Sequence, residues 1–596
     1  MKICRTKLKK QTPEPPPDVK VLIDEILSYG NLKELANFLC SIRTWQWSKS
    51  ELCHWIDVLD LFDDVLEEAC RRNPDSWLLE CDRSEPVLLP GVLNFTSHLF
   101  EHTFSRHLYN SMEHLITLLE SSRMNVVLST LSLLYVFSKR SSFLTHIPRQ
   151  QRDELMERLT CLAESWGGSS YGSPSTCSKA NYFVHMENVD KMTQLPGEIM
   201  DDILTTFKVP KEKQIVLFCQ LRLAQYLGDY GKRLQCILAR LKALSVIMYA
   251  GYMTESCSVH LSNGFVEECI ELLKSLSSDS LWVSSSVQCF GNRQISNILT
   301  TTPNDIRTEI LKTLTAMIYL DRQPRLNIIT ERTNASYYHG FLPTMVRSCI
   351  SYLLQSSERK IPHSFITALF SFLYYMAGYD SAGDALISSG LTDTLLSVVR
   401  STSILDENIT FVTRSVRIID LFTTTDSETF QILGGMPTFI HRLTKEVELC
   451  RQQMSSGDKG DSTMDSEPLL PEHETGSPEM ETDLPKQQTA AKGCCAPQRA
   501  ALIKSLLNFV KKAIQDPMFS ESVRHIMDGP LPEQLLHVIQ NPDYYGSSLF
   551  LLAINVFTSF IFNEPSQLST LQEKGVTTII MEALLVKEVC KRQLLA

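Results

Sequence analysis

The sequence predicts an all-α protein built as a stack of short helical repeats, and three observations predict it. Apolar residues recur with helical period, strand-like alternation is missing, and glycines recur ahead of amphipathic segments. Ile503, Leu506, Leu507, Val510, Ala513 and Ile514 follow the i, i+3, i+4, i+7 rule, with Lys504, Asn508, Lys511 and Lys512 on the other faces. Val126 to Phe137 is apolar nearly all round, so it needs neighbours on several sides, as in the inner layer of a stack. No alternating run is bounded by hairpin turns, and Asp528-Gly529 runs straight into Pro530.

The third observation gives the repeat. Gly264 precedes Val266, Cys269, Ile270 and Leu273, and Gly340 precedes Leu342, Met345 and Val346. Gly390 leads to Leu395, Leu396, Val398 and Val399, Gly435 to Phe439, Ile440 and Leu443, and Gly575 to Ile579, Ile580 and Leu584. Glycine admits the close backbone approach or positive φ of a tight inter-helix corner. Gly340 and Gly390 are 50 residues apart and Gly390 and Gly435 are 45 apart, close to the ~40–47 of armadillo and HEAT repeats. One such unit cannot bury its apolar face alone, so units stack. The fold class is therefore an all-α, armadillo/HEAT-like right-handed solenoid with a disordered acidic insertion. An irregular helical bundle with glycines at ordinary C-caps is the competing arrangement.

Composition divides the chain. Residues 1–18 are basic and then proline-rich and read as a disordered tail, residues 19–165 as N-terminal helical repeats, and residues 166–200, with Gly167, Gly168 and many serines, as a flexible loop. Armadillo-like repeats fill 201–452, interrupted by a Ser/Thr-rich insertion at 277–305. Residues 453–497 lose apolar periodicity and gain Ser, Gly, Pro, Asp and Glu, so they cannot bury enough surface to offset the entropy of ordering and read as a disordered acidic linker. Repeats resume over 498–596.

Bulk composition narrows the function classes. At 596 residues the chain exceeds one compact core. A net charge of −11 argues against direct nucleic-acid binding, which leans on Lys and Arg to neutralise phosphate. The basic start is followed by no signal-peptide apolar run, and the apolar Ser547–Phe562 stretch, broken by Asn555, Thr558 and Ser559, reads as a buried helix rather than a membrane span. Seventeen scattered cysteines, an odd number in a large chain, read as free thiols in a reducing compartment, several of them buried among aliphatics (Cys40, Cys161, Cys269, Cys349). The Asn-x-Ser/Thr matches at Asn94, Asn334 and Asn408 are then chance.

Motifs for chemistry are few. His98-Leu99-Phe100-Glu101-His102 has the H-x-x-E-H spacing that binds zinc in one class of protease. It has no assigned third ligand and reads better as an amphipathic helix with Leu99 and Phe100 packed inward. Gly228-Asp229-Tyr230-Gly231-Lys232 lacks the spacing of a phosphate-binding loop. Cys53 and His54 are neighbours, which point about 100° apart on a helix and so make no nucleophile–base pair. Cys494-Cys495 falls in the acidic linker and reads as a pair of exposed thiols. Trp45, Trp47 and Trp55 are a candidate groove anchor, although aromatics at this density are more often core. No catalytic, cofactor-binding or metal-binding residue is assigned, and no cofactor is expected.

Several longer runs carry a resemblance. They are Cys53-His54-Trp55-Ile56-Asp57-Val58-Leu59-Asp60, Leu133 to Ser141, Leu162 to Gly168, Tyr338-His339-Gly340-Phe341-Leu342-Pro343, and Gln498 to Gly529. Together they resemble the N-terminal region of the giant HECT, UBA and WWE domain-containing ubiquitin ligases (the Mule, or ARF-binding-protein, type), over nearly the whole chain. The resemblance implies an armadillo-like arc of a larger ring that holds substrate proteins near a C-terminal HECT domain, which works through a cysteine thioester to ubiquitin. It implies that this catalytic domain, the UBA and WWE domains and a BH3-like segment lie beyond the chain, so the chain itself is no enzyme. Its expected partners are substrate proteins and other segments of the ligase ring. E2 and ubiquitin are reached only through the HECT domain, and neither nucleic acid nor membrane is bound. The expected location is cytoplasm and nucleus. The run after Gly168 looks shortened against the family pattern and Leu281–Asp305 looks added. The ending Cys590–Ala596 leaves the pattern in mid-array, which keeps open an independent short paralogue acting as an adaptor without ligase activity.

Overall fold

In a computed structural model, residues 15, 17–30, 32–41, 52–71, 88–102, 109, 111–121, 124–140, 147–164, 235, 237–250, 263–278, 303–320, 324–354, 361–401, 408–456, 495–573 and 575–585 are described. All regular structure among them is helical, as expected of an all-α chain. They fall into two compact units that divide between Arg325 and Leu326.

The first unit contains α1 (Pro17–Ser28), α2 (Leu32–Ser41), a 3-10 turn at Leu52–Trp55, α3 (Ile56–Arg71), α4 (Leu88–His102), α5 (Met112–Leu118), α6 (Met124–Arg140) and α7 (Arg149–Glu164). It continues with α8 (237–250), α9 (Asn263–Ser278) and α10 (Pro303–Leu320). Helix α1 packs on α3, α2 on α4, α4 on α6, α5 on both α6 and α7, and α9 on α10. The apolar-all-round segment is α6, whose Val126, Val127, Leu131, Leu133 and Leu134 are fully buried. Its embedded Thr130 satisfies its hydroxyl on the Val126 carbonyl, 2.8 Å away.

Helices α6, α8 and α10 lie side by side, joined by polar contacts as well as apolar ones. Lys242 on α8 donates to the Ser132 hydroxyl on α6 (3.0 Å) and pairs with Glu309 on α10 (3.6 Å). Ser245 and Thr313 share a hydrogen bond of 3.1 Å, and the Tyr249 ring lies between those of Tyr135 and Tyr319. Burial pushes the Glu309 carboxyl up, but the Lys242 and Lys312 charges outweigh it, so the net shift is downward and the carboxylate stays ionised.

The second unit shows the repeat openly. The boundary falls within the first residues of α11 (Pro324–Arg332), and α12 (Phe341–Leu354) follows. Next come α13 (His363–Ala377), α14 (Asp380–Ser388) and α15 (Leu391–Arg400), and then α16 (Ile409–Thr425), α17 (Ser427–Ile432) and α18 (Gly435–Ser456). A third set is α19 (Pro497–Gln515), α20 (Ser520–Asp528) and α21 (Leu531–Gln540). After the one-turn α22 (Pro542–Tyr545) a fourth set is α23 (Ser547–Asn563), α24 (Leu568–Glu573) and α25 (Val576–Leu585). Each set is a long helix, a short one and a third helix. The long helices stack as α13 on α16, α16 on α19 and α19 on α23. The third helices stack as α12 on α15, α15 on α18, α18 on α21 and α21 on α25. Like packs on like, which is the defining order of a repeat array.

The recurring glycines mark one corner of this repeat, where the short helix gives way to the third. Gly390 sits there at φ +77°, outside the range most side chains adopt. At the next corner the positive φ falls on Gly434 rather than the anticipated Gly435, whose missing side chain instead makes room for the Phe430 ring. Phe430 meets Phe439 at 5.3 Å and Phe509 at 5.2 Å, ring centre to ring centre, and so ties α17, α18 and α19 into one aromatic cluster.

The Ser547–Phe562 stretch is α23, with Leu549, Phe550, Ala553, Val556, Phe557 and Phe560 buried. Among the described residues no helix is long and apolar enough to cross a membrane. Of the 277–305 segment, Ser277 and Ser278 close α9 and Pro303 to Asp305 open α10; of the 453–497 segment, Gln453 to Ser456 close α18 and Pro497 opens α19. The remainder of the latter apart from 495–496, like residues 1–14, 166–200 and Gly228 to Lys232, lies outside the described residues.

Candidate functional site

The H-x-x-E-H segment lies in the last turns of α4. Leu99 and Phe100 point into the core, where Phe100 meets the Phe137 ring at 4.9 Å, and His98 is exposed. The side chains of Glu101 and His102 lie outside the described residues. Among the described residues no cluster of three or more His, Cys, Asp or Glu side chains is placed to hold a metal. Trp55, offered above as a groove anchor, is fully buried against Phe95 with ring centres 6.0 Å apart, so it is a core residue. Trp45 and Trp47 lie outside the described residues. Cys53 and His54 share the 3-10 turn that delivers Trp55 to this core.

The second unit presents a more ordered set of surface contacts. At the corner between α11 and α12, Tyr337 and Tyr338 are 68% and 57% exposed. The Arg347 guanidinium stacks 3.8 Å from the centre of the Tyr338 ring and donates to the carbonyls of Tyr338 and Ser389, both at 2.5 Å. One repeat later Arg400 donates to the Leu433 carbonyl, again at 2.5 Å. Ser389 and Leu433 each precede a left-handed glycine, Gly390 and Gly434. An arginine on one third helix therefore holds the corner that opens the next third helix. These staples keep the third helices in register as one continuous layer, rimmed at its start by exposed tyrosines. Sequence reading missed them, because an arginine at helical spacing carries no mark of the carbonyl it will reach.

A buried joint lies where α18 meets α19. Glu446, 1% exposed, holds Arg442 Nε at 2.8 Å with one carboxylate oxygen and Arg499 Nε at 2.8 Å with the other. Arg442 Nη1 donates to the Ser401 carbonyl (2.6 Å), and Arg499 Nη1 to Gln453 Oε1 (3.2 Å), which also accepts from the Tyr544 hydroxyl (3.2 Å). Each guanidinium of this triad is thereby paired and hydrogen-bonded, as a charge out of water requires.

Cys495 completes the joint and corrects its reading as an exposed thiol. Its backbone N–H donates to the Tyr544 carbonyl at 3.0 Å and its side chain is 9% exposed, beside fully buried Cys450. The acidic composition of the preceding residues hid this, because two residues ahead of Pro497 the chain is already docked. Cys494 lies outside the described residues.

Two family descriptions match the chain. Residues 413–594 match "Domain of Unknown Function (DUF913)" and residues 86–183 match "Domain of Unknown Function (DUF908)". The E3 ubiquitin-protein ligase HUWE1 of mouse (Mus musculus) is 42% identical over 99% of this chain, an alignment that covers 14% of that protein. Over nearly all of its length the chain is homologous to the N-terminal region of HUWE1. HUWE1 of rat (Rattus norvegicus) is 38% identical over 99% of the chain and 15% of its own length. The ligase UPL2 of Arabidopsis thaliana is 23% identical over 98% of the chain and 16% of its length. The chain spans about 15% of the length of these relatives. An engineered protein of known structure aligns with 91% of the chain and 98% of its own at 11% identity, with a TM-score of 0.29, too low to carry any likeness of fold.

Proposed function

We propose that this chain is a non-catalytic scaffold of a HECT-type E3 ubiquitin-protein ligase and recruits the proteins that the ligase marks for degradation. The reading rests on the match of nearly the whole chain to a small fraction of ligases of the HUWE1 family. It is supported by the continuous layer of third helices in the second unit, because stacked repeats offer extended surfaces suited to protein partners. Tyr337 and Tyr338 at the rim of that layer are of the residue type that anchors interfaces. Ubiquitin chemistry itself belongs in this reading to a HECT domain in another part of the ligase. The chain works in the cytoplasm and nucleus, where its many thiols stay reduced.

Two measurements test this. The purified chain, incubated with E1, E2, ATP and ubiquitin, is expected to form neither a ubiquitin thioester nor any conjugate; a reducible ubiquitin adduct on one of its cysteines overturns the non-catalytic assignment. Crosslinking in cells followed by mass spectrometry is expected to recover proteins on the third-helix layer whose ubiquitination falls when Tyr337 and Tyr338 are both replaced by alanine. Bound proteins whose ubiquitination does not change would make the chain an adaptor outside the ligase pathway.

A further inference from the structure

The joint between α18 and α19 holds two sulfur atoms side by side. Cys450 Sγ and Cys495 Sγ lie 3.6 Å apart and both side chains are buried. Cys450 sits within α18, and Cys495 lies two residues ahead of α19, 45 positions further along the chain. A disulfide needs its sulfurs about 2 Å apart, so side-chain rotation with a small shift closes the gap. Cys495 lies outside any helix, and its short stretch of chain can supply that shift. We propose that Cys450 and Cys495 form a reversible disulfide, an oxidative modification site that links covalently the repeats on either side of the acidic insertion.

The surroundings favour thiol chemistry. The contact with Cys495 holds the Cys450 thiol below its ordinary value, and the Tyr545 hydroxyl and the Arg499 charge act in the same direction against the opposing effect of burial. The same pairing, with burial, pushes Cys495 upward. Of the two thiols, Cys450 is the one whose surroundings favour the thiolate, the form that reacts. The oxidant is a hydroperoxide. The thiolate attacks one peroxide oxygen, the O–O bond breaks, hydroxide leaves and a sulfenic acid remains. The partner sulfur then attacks that sulfenic sulfur, the S–O bond breaks and water leaves with the thiol proton. Two thiols and one hydrogen peroxide give one disulfide and two waters, with two electrons passing from sulfur to peroxide. Thiol reductants reverse it through a mixed disulfide.

The test uses the full chain treated with hydrogen peroxide, blocked with N-ethylmaleimide and digested without reduction. The expected product is a Cys450–Cys495 linked peptide, lighter by two hydrogens than its two parts and lost on treatment with dithiothreitol. It should come with a reversible upward shift of the urea midpoint, because the cross-link constrains the unfolded chain. The variant Cys494→Ser should form it equally, and Cys495→Ser should not. If Cys495→Ser fails to fold, the wild type and Cys494→Ser still decide the matter. Recovery of Cys450 and Cys495 as separate peptides after Cys53 has been oxidised overturns the proposal, and so does predominant pairing of either with another cysteine. This outcome is independent of the ligase reading, since it needs no ubiquitin and no partner protein.

Discussion

Glu446 anchors the buried joint between α18 and α19. Its carboxylate is the shared counter-charge of Arg442 and Arg499, and all three side chains are nearly inaccessible to water. Removing one member of a buried charge group costs more than the group contributes, because the remaining charges lose their compensation. Glu446→Ala is therefore expected to destabilise the chain by about 3–5 kcal/mol. Glu446→Gln should cost less, since it keeps the shape and one hydrogen-bond acceptor. Two residues along the same helix, Glu448 pairs with Arg451 at the surface. Glu448→Gln should change stability by less than about 1 kcal/mol. Urea unfolding of the three variants checks the contrast, and a Glu446→Ala chain as stable as Glu448→Gln would show that the triad holds nothing.

At the scale of elements, the glycine corners decide where one helix can hand over to the next. A Cβ at Gly340 would sit 1.8 Å from the Asn334 carbonyl oxygen, and Asn334 itself holds a positive φ of 51° to make the corner. Backbone cannot yield as a flexible side chain can. At Gly390 the obstacle is the left-handed conformation, with the Tyr338 ring 3.3 Å from the Cβ position. Gly390→Ala should cost about 1–3 kcal/mol, the usual range for a residue held in an unfavourable φ/ψ region. Gly340→Ala should cost more, because it adds a collision that only movement of α11 or α12 relieves. Thermal or urea midpoints of the two variants give the order, and an equal loss would remove the distinction between close approach and conformation. Gly340, Gly390 and Gly575 were legible in the sequence as recurring punctuation, because corner chemistry needs a particular residue type at a particular place. Gly546, at φ +81°, was not, since it opens a long helix instead of a third helix and has no counterpart at the repeat spacing.

At the scale of the whole chain, stability is a sum of terms within each repeat and terms at each junction. The junctions differ in kind. That of α17 and α18 with α19 combines the aromatic cluster around Phe430 with the Glu446 triad, whereas that between α8 and α10 carries the buried Lys242–Glu309 pair. Unequal junctions break cooperativity in long arrays. Urea unfolding followed by tryptophan fluorescence and by far-ultraviolet circular dichroism is expected to give transitions that do not coincide, since Trp55 reports a core in the first unit and helicity reports the entire chain. Superimposable curves would make the chain a single cooperative body. The all-α class and the repeat length were written in the sequence because apolar period and glycine spacing are local properties. The charged triad, the arginine staples and the Cys450–Cys495 contact were not, because each joins residues more than thirty positions apart whose types are ordinary one by one.

The stacking of like helix on like helix has one more consequence. Alignment between neighbouring repeats is carried by two columns of helices, each helix stacked on its counterpart in the next set. The connection after Ser456 can thus lengthen, shorten or change composition while α18 still finds α21 and α16 still finds α19. Such a plan lets a lineage rewrite its inter-repeat sequence, and with it whatever that sequence signals, without renegotiating the architecture that carries it.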